Sequence, residues 1–204
     1  MAIKLYHCFQ ARSQRSLWTL EELGLDYELT VLPFPPRVFQ KEYKQVNPLG
    51  TIPYLVDGDV EMSESSGICL YLVERYGPTE LAIGRDEADY GAYLNWLFRS
   101  DATLTFPLTL VLRYTELEPE ERRIAQVADD YRTWFLARWR CVGEALSDGR
   151  EYLVGGRFTI ADICVSYGLQ LALSLDIQEA LAGPVRPWWD RLNEREAMQK
   201  ALQL

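Results

Sequence analysis

Two short stretches carry groups that could hold a ligand by its backbone and by its charge. Thr51-Ile52-Pro53 stands just ahead of the apolar run Tyr54-Leu55-Val56. A cis bond before Pro53 would turn the chain sharply and leave the Ile52 N–H and C=O unpaired, open to an extended peptide as an added strand. An ordinary trans proline opening a strand is the competing and commoner arrangement. Glu64-Ser65 begins a helical pattern directly after a strand. First-turn N–H groups and the Ser65 hydroxyl there face a point where a carboxylate could sit; Ser65 as a plain N-cap is the alternative. The remaining chemistry is sparse. His7 is the one histidine, so any Ser-His-Asp arrangement would have to use a residue inside an expected strand. Cys8, Cys69, Cys141 and Cys164 lie far apart without paired spacing, and no structural metal is expected.

The elements that must position these groups can be read from periodicity. Ile3 to Cys8 is a strand, and Ser13 to Leu23 carries Leu17, Leu20 and Leu23 at helical spacing before Gly24 stops it. Tyr27, Leu29 and Val31 alternate with polar residues as a second strand, which Pro33, Pro35 and Pro36 end. A short, weakly patterned helix or loop is expected over 38–46. Asp57-Gly58-Asp59 between Tyr54-Leu55-Val56 and Val60-Glu61-Met62 predicts a β-hairpin, because both turn positions tolerate positive φ. A helix from about Ser65 to Tyr76 follows, stopped by Gly77-Pro78. The expected product is a mixed four-stranded sheet with helices on its faces.

Beyond Pro78 nearly every pattern is helical. Residues 79–87 read as a linker. One long helix runs through Tyr90, Leu94, Leu97, Leu104 and Leu108 with a bend at Pro107, and a second runs from Ile124 to Val142. The stretch 158–173, apolar almost all round, predicts a buried helix, and 185–202 a terminal surface helix. The expected division is therefore 1–78, 79–87 and 88–204.

Composition narrows the partners. The 204 residues suffice for one large domain or two modest ones, and the aromatic content excludes disorder as the main state. A net charge of −9 is the wrong sign for a phosphate-backbone binder, which argues against nucleic acid and an anionic membrane surface. The start Met1-Ala2-Ile3-Lys4 turns polar too soon for a signal peptide, and no apolar run approaches the roughly 18 residues of a membrane span, so a soluble, cytoplasmic protein is expected.

Taken together and in order, the motifs resemble the cytosolic glutathione transferases. They are the first strand ending Leu5-Tyr6, the helix ending Leu20-Glu21-Glu22-Leu23-Gly24, Asn47-Pro48-Leu49-Gly50-Thr51-Ile52-Pro53, Glu64-Ser65-Ser66-Gly67-Ile68, and Phe158-Thr159-Ile160-Ala161-Asp162. The resemblance covers nearly the whole chain. It implies an α/β thioredoxin-like N-terminal domain, an all-α helical C-terminal domain and a homodimer. It further implies glutathione as co-substrate, held by Thr51, Ile52 and a cis Pro53, with its γ-glutamyl carboxylate at Ser65 and Glu64 toward its ammonium. The partner would be a small apolar electrophile and the setting detoxification. Thr159 and Asp162 resemble the family's capping box, a folding device.

The thiol-activating residue departs from the family pattern. A thiol of pKa about 8.5 needs roughly 2.7 kcal/mol of thiolate stabilisation to fall by about two units. Where serine-type members keep their hydroxyl, this chain has Gln10 or Ala11. The nearby donors are Ser13, which could equally be an N-cap, Arg12, which could be a solvated surface group, and Tyr6, which could be a core tyrosine. Arg12 or Arg15 could also offset the acidic balance. Cys8, Phe9 and Gln10 are the expected second-substrate contacts, with Tyr93, Trp96, Leu97, Phe106 and Tyr114 as further pocket candidates. A binding or regulatory protein with little turnover, or a thiol reductase or peroxidase using Cys8, are the alternatives to a transferase.

Overall fold

β1 (Ile3–His7) buries Ile3, Leu5 and His7 on one side and turns Lys4 and Tyr6 to the other, the period-two pattern of a strand. The computed structural model describes residues 2–204. α1 (Ser13–Glu22) follows, and Gly24 at φ +62° closes it with Gly24 N–H on the Glu21 carbonyl and Leu25 N–H on the Leu20 carbonyl. β2 (Tyr27–Val31) then pairs parallel to β1, which requires the helical crossover. α2 (Pro36–Phe39) and a 3-10 turn at Lys41–Gln45 fill the stretch of weak pattern. β3 (Tyr54–Asp57) and β4 (Val60–Met62) form the hairpin, with Gly58 at φ +61° in its turn. α3 (Ser65–Arg75) ends at Tyr76, ahead of Gly77-Pro78. The sheet order is β2-β1-β3-β4, mixed as expected.

The second half is helical. α4 (Tyr90–Arg99) loosens into a π-helical turn at Ser100–Thr105 before α5 (Phe106–Leu112). The expected bend at Pro107 therefore begins a turn earlier. Pro107 has no N–H to return to the preceding turn, and the Thr105 hydroxyl instead donates to the Ser100 carbonyl at 2.7 Å. A further π turn covers Arg113–Leu117, and α6 (Ala125–Leu146) packs on α5. α7 (Ile160–Ser174) is the buried helix, opened by a capping box: Ala161 N–H donates to the Thr159 hydroxyl and Thr159 N–H to Asp162 Oδ2. The single terminal surface helix is instead two, α8 (Val185–Asn193) and α9 (Glu196–Gln203). It is not wholly surface either, because Trp188 is buried and its indole N–H donates to Asp162 Oδ1 at 2.9 Å.

Two compact units result, one of residues up to Ala82 together with Leu192–Leu204, the other Ile83–Arg191. The C-terminal residues, expected with the helical domain, group with the sheet. α9 packs on α1, with Arg195 paired to Glu22 at 2.6 Å and Lys200 to Glu21 at 2.6 Å. No helix among the described residues is long and apolar enough to cross a membrane.

Candidate ligand site at one end of the sheet

Strand register brings the expected site residues to a common place. β1 and β3 are antiparallel with Tyr6 opposite Tyr54, and β3 and β4 are antiparallel with Leu55 opposite Met62. The exit of β1, the entry to β3 and the exit of β4 therefore share one end of the sheet. That end carries the β1–α1 loop, Thr51-Ile52-Pro53 and the start of α3.

The Ile52–Pro53 bond is cis. Ile52 is half-buried, and among the described residues its N–H and C=O carry no backbone hydrogen bond. The segment ahead of it is held tightly. Buried Asn47 donates from Nδ2 to the Thr51 carbonyl at 2.9 Å and to the Thr51 hydroxyl at 3.3 Å, while its Oδ1 accepts Leu49 N–H at 3.1 Å. The buried Tyr43 hydroxyl donates to the same Thr51 carbonyl at 2.8 Å. Gly50, at φ +61°, lets the chain pass where a Cβ would come within 2.9 Å of Arg37 Cβ. No periodicity along the chain announces the bracing by Asn47 and Tyr43. Its one signal was an Asn two residues ahead of Leu49, a spacing at which the side chain bonds its own backbone.

At α3, Glu64 rather than Ser65 is the N-cap residue, and its exposed side chain makes no capping bond. Ser65 is the first helical residue, buried at 3 % exposure. Beneath it lies Arg15, 1 % exposed on α1, whose Nη1 donates to Ser65 Oγ at 2.9 Å. By sequence Arg15 is only a nearby charge, because nothing in a linear pattern aims it from one helix to the other.

The β1–α1 loop sorts the activation candidates. Ser13 is fully buried; its hydroxyl accepts Cys8 N–H at 3.2 Å and donates to the Cys8 carbonyl at 3.3 Å. That accounts for the serine as a loop clasp. Ala11 is buried, while Gln10 is exposed at φ +55° and Phe9 is 56 % exposed. Arg12 is half-buried at the N-cap of α1. Tyr6 packs against Tyr43 and Tyr54, with ring centroids 5.6 and 6.1 Å away, in a cluster with Ala11 and Leu32. Cys8 is fully buried in the same cluster, its thiol 3.7 Å from the Pro33 carbonyl, and burial pushes that thiol up to about 12. A thiol so shifted supplies almost no thiolate at neutral pH.

In the second unit Tyr93, Trp96 and Leu97 are core residues, Tyr114 is half-buried and Phe106 is exposed. Among the described residues no cluster of His, Cys, Asp and Glu is arranged to hold a metal ion.

Known proteins resemble this chain along its length. A family model described as "Glutathione S-transferase, N-terminal domain" matches residues 5–80. Glutathione S-transferase F10 of Arabidopsis thaliana is 30% identical over 222 residues, spanning 98% of this chain and 96% of that protein. Two solved structures share 25% identity with it. Ure2p5 from Phanerochaete chrysosporium, cocrystallized with 1-(S-glutathionyl)-2,4-dinitrobenzene, superposes with a TM-score of 0.84 over 99% of this chain and 93% of that one. The nitrogen regulation fragment of the yeast prion protein Ure2p gives 0.86 over 99% and 96%.

Proposed function

This chain belongs to the glutathione S-transferase family, and from that premise we propose that it binds glutathione at this end of the sheet and adds its thiolate to an electrophilic carbon of a small apolar substrate. The observation that carries the reading is the convergence of a backbone edge and a helix start. The unpaired Ile52 N–H and C=O, braced through Thr51, suit the cysteinyl backbone of the tripeptide as an added strand. The first turn of α3, free of a side-chain cap, suits the γ-glutamyl carboxylate, with Glu64 toward the ammonium.

The sulfur then points to the β1–α1 loop. The Ser13 hydroxyl is committed to Cys8 and the Tyr6 ring is packed between Tyr43 and Tyr54, and we assign the thiolate's stabilisation to the amino end of α1 and the Arg12 guanidinium. Phe9 and Gln10, both exposed, face the apolar substrate, whose leaving group or double bond accepts the displaced electron pair as the C–S bond forms. Cys8 gives no support to the reductase alternative, since its thiol is buried and undissociated. A homodimer in the cytoplasm is the proposed working form. The exposed Phe106 and Trp134, each in ring contact with Tyr131, supply apolar surface suited to self-association.

A binding or regulatory protein is the second reading, favoured by a β1–α1 loop whose one hydroxyl, Ser13, is turned inward. Retention on immobilised glutathione, assay with an aryl halide and thiolate absorbance against pH decide between them. Retention, conjugate formation and a lowered thiol pKa are expected. Retention with an unshifted thiol and no conjugate would establish the binding protein instead.

A further inference from the structure

In a chain of net charge −9 an arginine readily finds a carboxylate, as Arg113, Arg132, Arg150 and Arg195 do at 2.6 to 2.9 Å. Three arginines of the helical unit do not. Arg99 at the end of α4, with Arg138 and Arg140 on α6, lines one groove of about 390 Å³, and none of the three is ion-paired among the described residues. Thr103 adds a hydroxyl to the same wall, also without a hydrogen-bond partner among the described residues. Glu144 is the one carboxylate on the lining, so three guanidiniums are set against a single negative group.

Stacking holds two of the three in place. The Arg99 guanidinium lies 4.9 Å from the centre of the Trp96 ring, and that of Arg138 lies 4.3 Å from the centre of Trp134. Contact with the indole faces removes rotamer freedom before any ligand arrives and leaves the edges of the forks to donate. Arg138 spends one donor on the Trp134 carbonyl at 3.4 Å, out of the five a guanidinium carries. Like charges gathered in one groove repel each other, and an anion relieves that repulsion. A carboxylate fills a single fork, whereas a phosphoryl group offers three oxygens and nearly two charges to donors arriving from two helices.

We propose that this groove is a binding site for a phosphoryl dianion, either free phosphate or a small phosphate monoester, with Arg99, Arg138 and Arg140 as its donors and Thr103 beside them. The site lies within the helical unit and does not depend on glutathione binding at the sheet.

Cys141 serves as the reporter. It lies on the same lining and is half-buried, while Cys8, Cys69 and Cys164 are fully buried, so a neutral alkylating reagent reaches Cys141 first. Burial raises its thiol pKa, and a hydrogen bond from Arg99 opposes that shift. An anion that engages Arg99 both covers the thiol and withdraws this support. Alkylation by iodoacetamide is followed by peptide mass spectrometry on the full chain, with inorganic phosphate or glycerol 3-phosphate compared with chloride at matched ionic strength. Both phosphates should slow the reaction along a saturating curve, to about one third of the chloride rate or less at the plateau. Half-protection at a lower concentration of the monoester identifies a phosphorylated small molecule as the occupant, and at a lower concentration of phosphate, the free ion. The double variant Arg138→Gln, Arg140→Gln alters two exposed side chains and leaves Arg99 beside the thiol, so it should keep the chloride rate and lose the protection. Three results each overturn the proposal: no slowing of the wild-type protein by either phosphate, protection retained by the double variant, or a chloride rate that falls as protein concentration rises, the mark of a second copy seated in the groove.

Discussion

The Ser13 hydroxyl accepts the Cys8 N–H and donates to the Cys8 carbonyl, closing the β1–α1 loop on itself and leaving Ser13 no surface to solvent. The residue best suited by type to activate a thiol is therefore spent on the backbone, and in the proposed function that role passes one position back to Arg12.

The first prediction follows from that shift. Arg12→Gln should lower conjugation by roughly 10²-fold, the usual scale for removing one donor to a developing anion, and raise the pKa of bound glutathione. Ser13→Ala should instead cost about 1–3 kcal/mol of stability, because the buried Cys8 amide loses its partner, with turnover per folded molecule nearly unchanged. Steady-state kinetics beside urea melts separate the two. A Ser13→Ala enzyme that is stable but inactive would return the hydroxyl to the chemistry.

Asn47 meets both the Thr51 carbonyl and the Leu49 N–H. Asn47→Leu should strip the Thr51 carbonyl and the Leu49 N–H of this partner and slacken the edge at Ile52. The dissociation constant for glutathione should rise by about 10-fold or more, corresponding to about 1–3 kcal/mol. An unchanged constant would remove the bracing role.

Two buried ionisable groups give opposite pH responses. His7 is wholly buried with both ring nitrogens unpartnered among the described residues, and burial lowers it from 6.5 to about 4. Between those values the unfolded chain holds the extra proton, so this group's share of stability is present above about 6.5 and is lost as pH falls toward 4. Burial raises Asp162 from 3.8 to about 6, against the Leu153, Trp188 and Thr159 donors that favour its anion. Its share is fully present below about 3.8 and is lost as pH rises through 6. His7→Leu should shrink the loss of urea midpoint between pH 7 and pH 4.5, and Asp162→Asn should enlarge it. Equal pH slopes in both variants and wild type would refute the assignment.

Phe9 is 56% exposed on the site-facing loop. Phe9→Ala should raise KM for the apolar substrate several-fold while leaving glutathione affinity unchanged, as removal of roughly 1–2 kcal/mol of apolar contact requires. Equal weakening of both ligands would show instead that Phe9 shapes the loop.

What the chain determined by itself was local and periodic. Leu17 and Leu20 at helical spacing with Gly24 beyond them wrote α1, Asp57-Gly58 wrote the hairpin, and Thr159 with Asp162 wrote the start of α7, because each pattern is satisfied by neighbours a few residues away. The order of motifs also singled out Ile52 and Ser65 as a pair of candidate ligand contacts. Direction and partnership were decided only in three dimensions. Ser13 could have faced a ligand or its own loop, and the closeness of Cys8 settled it. Arg15 meets Ser65, 50 positions away, only because α1 and α3 pack together, and Trp188 meets Asp162 only because α8 returns to the start of α7. A side chain's type fixes which bonds it can make, but which partner it finds when water is excluded depends on distant segments brought together by burial, and no spacing along the chain records that.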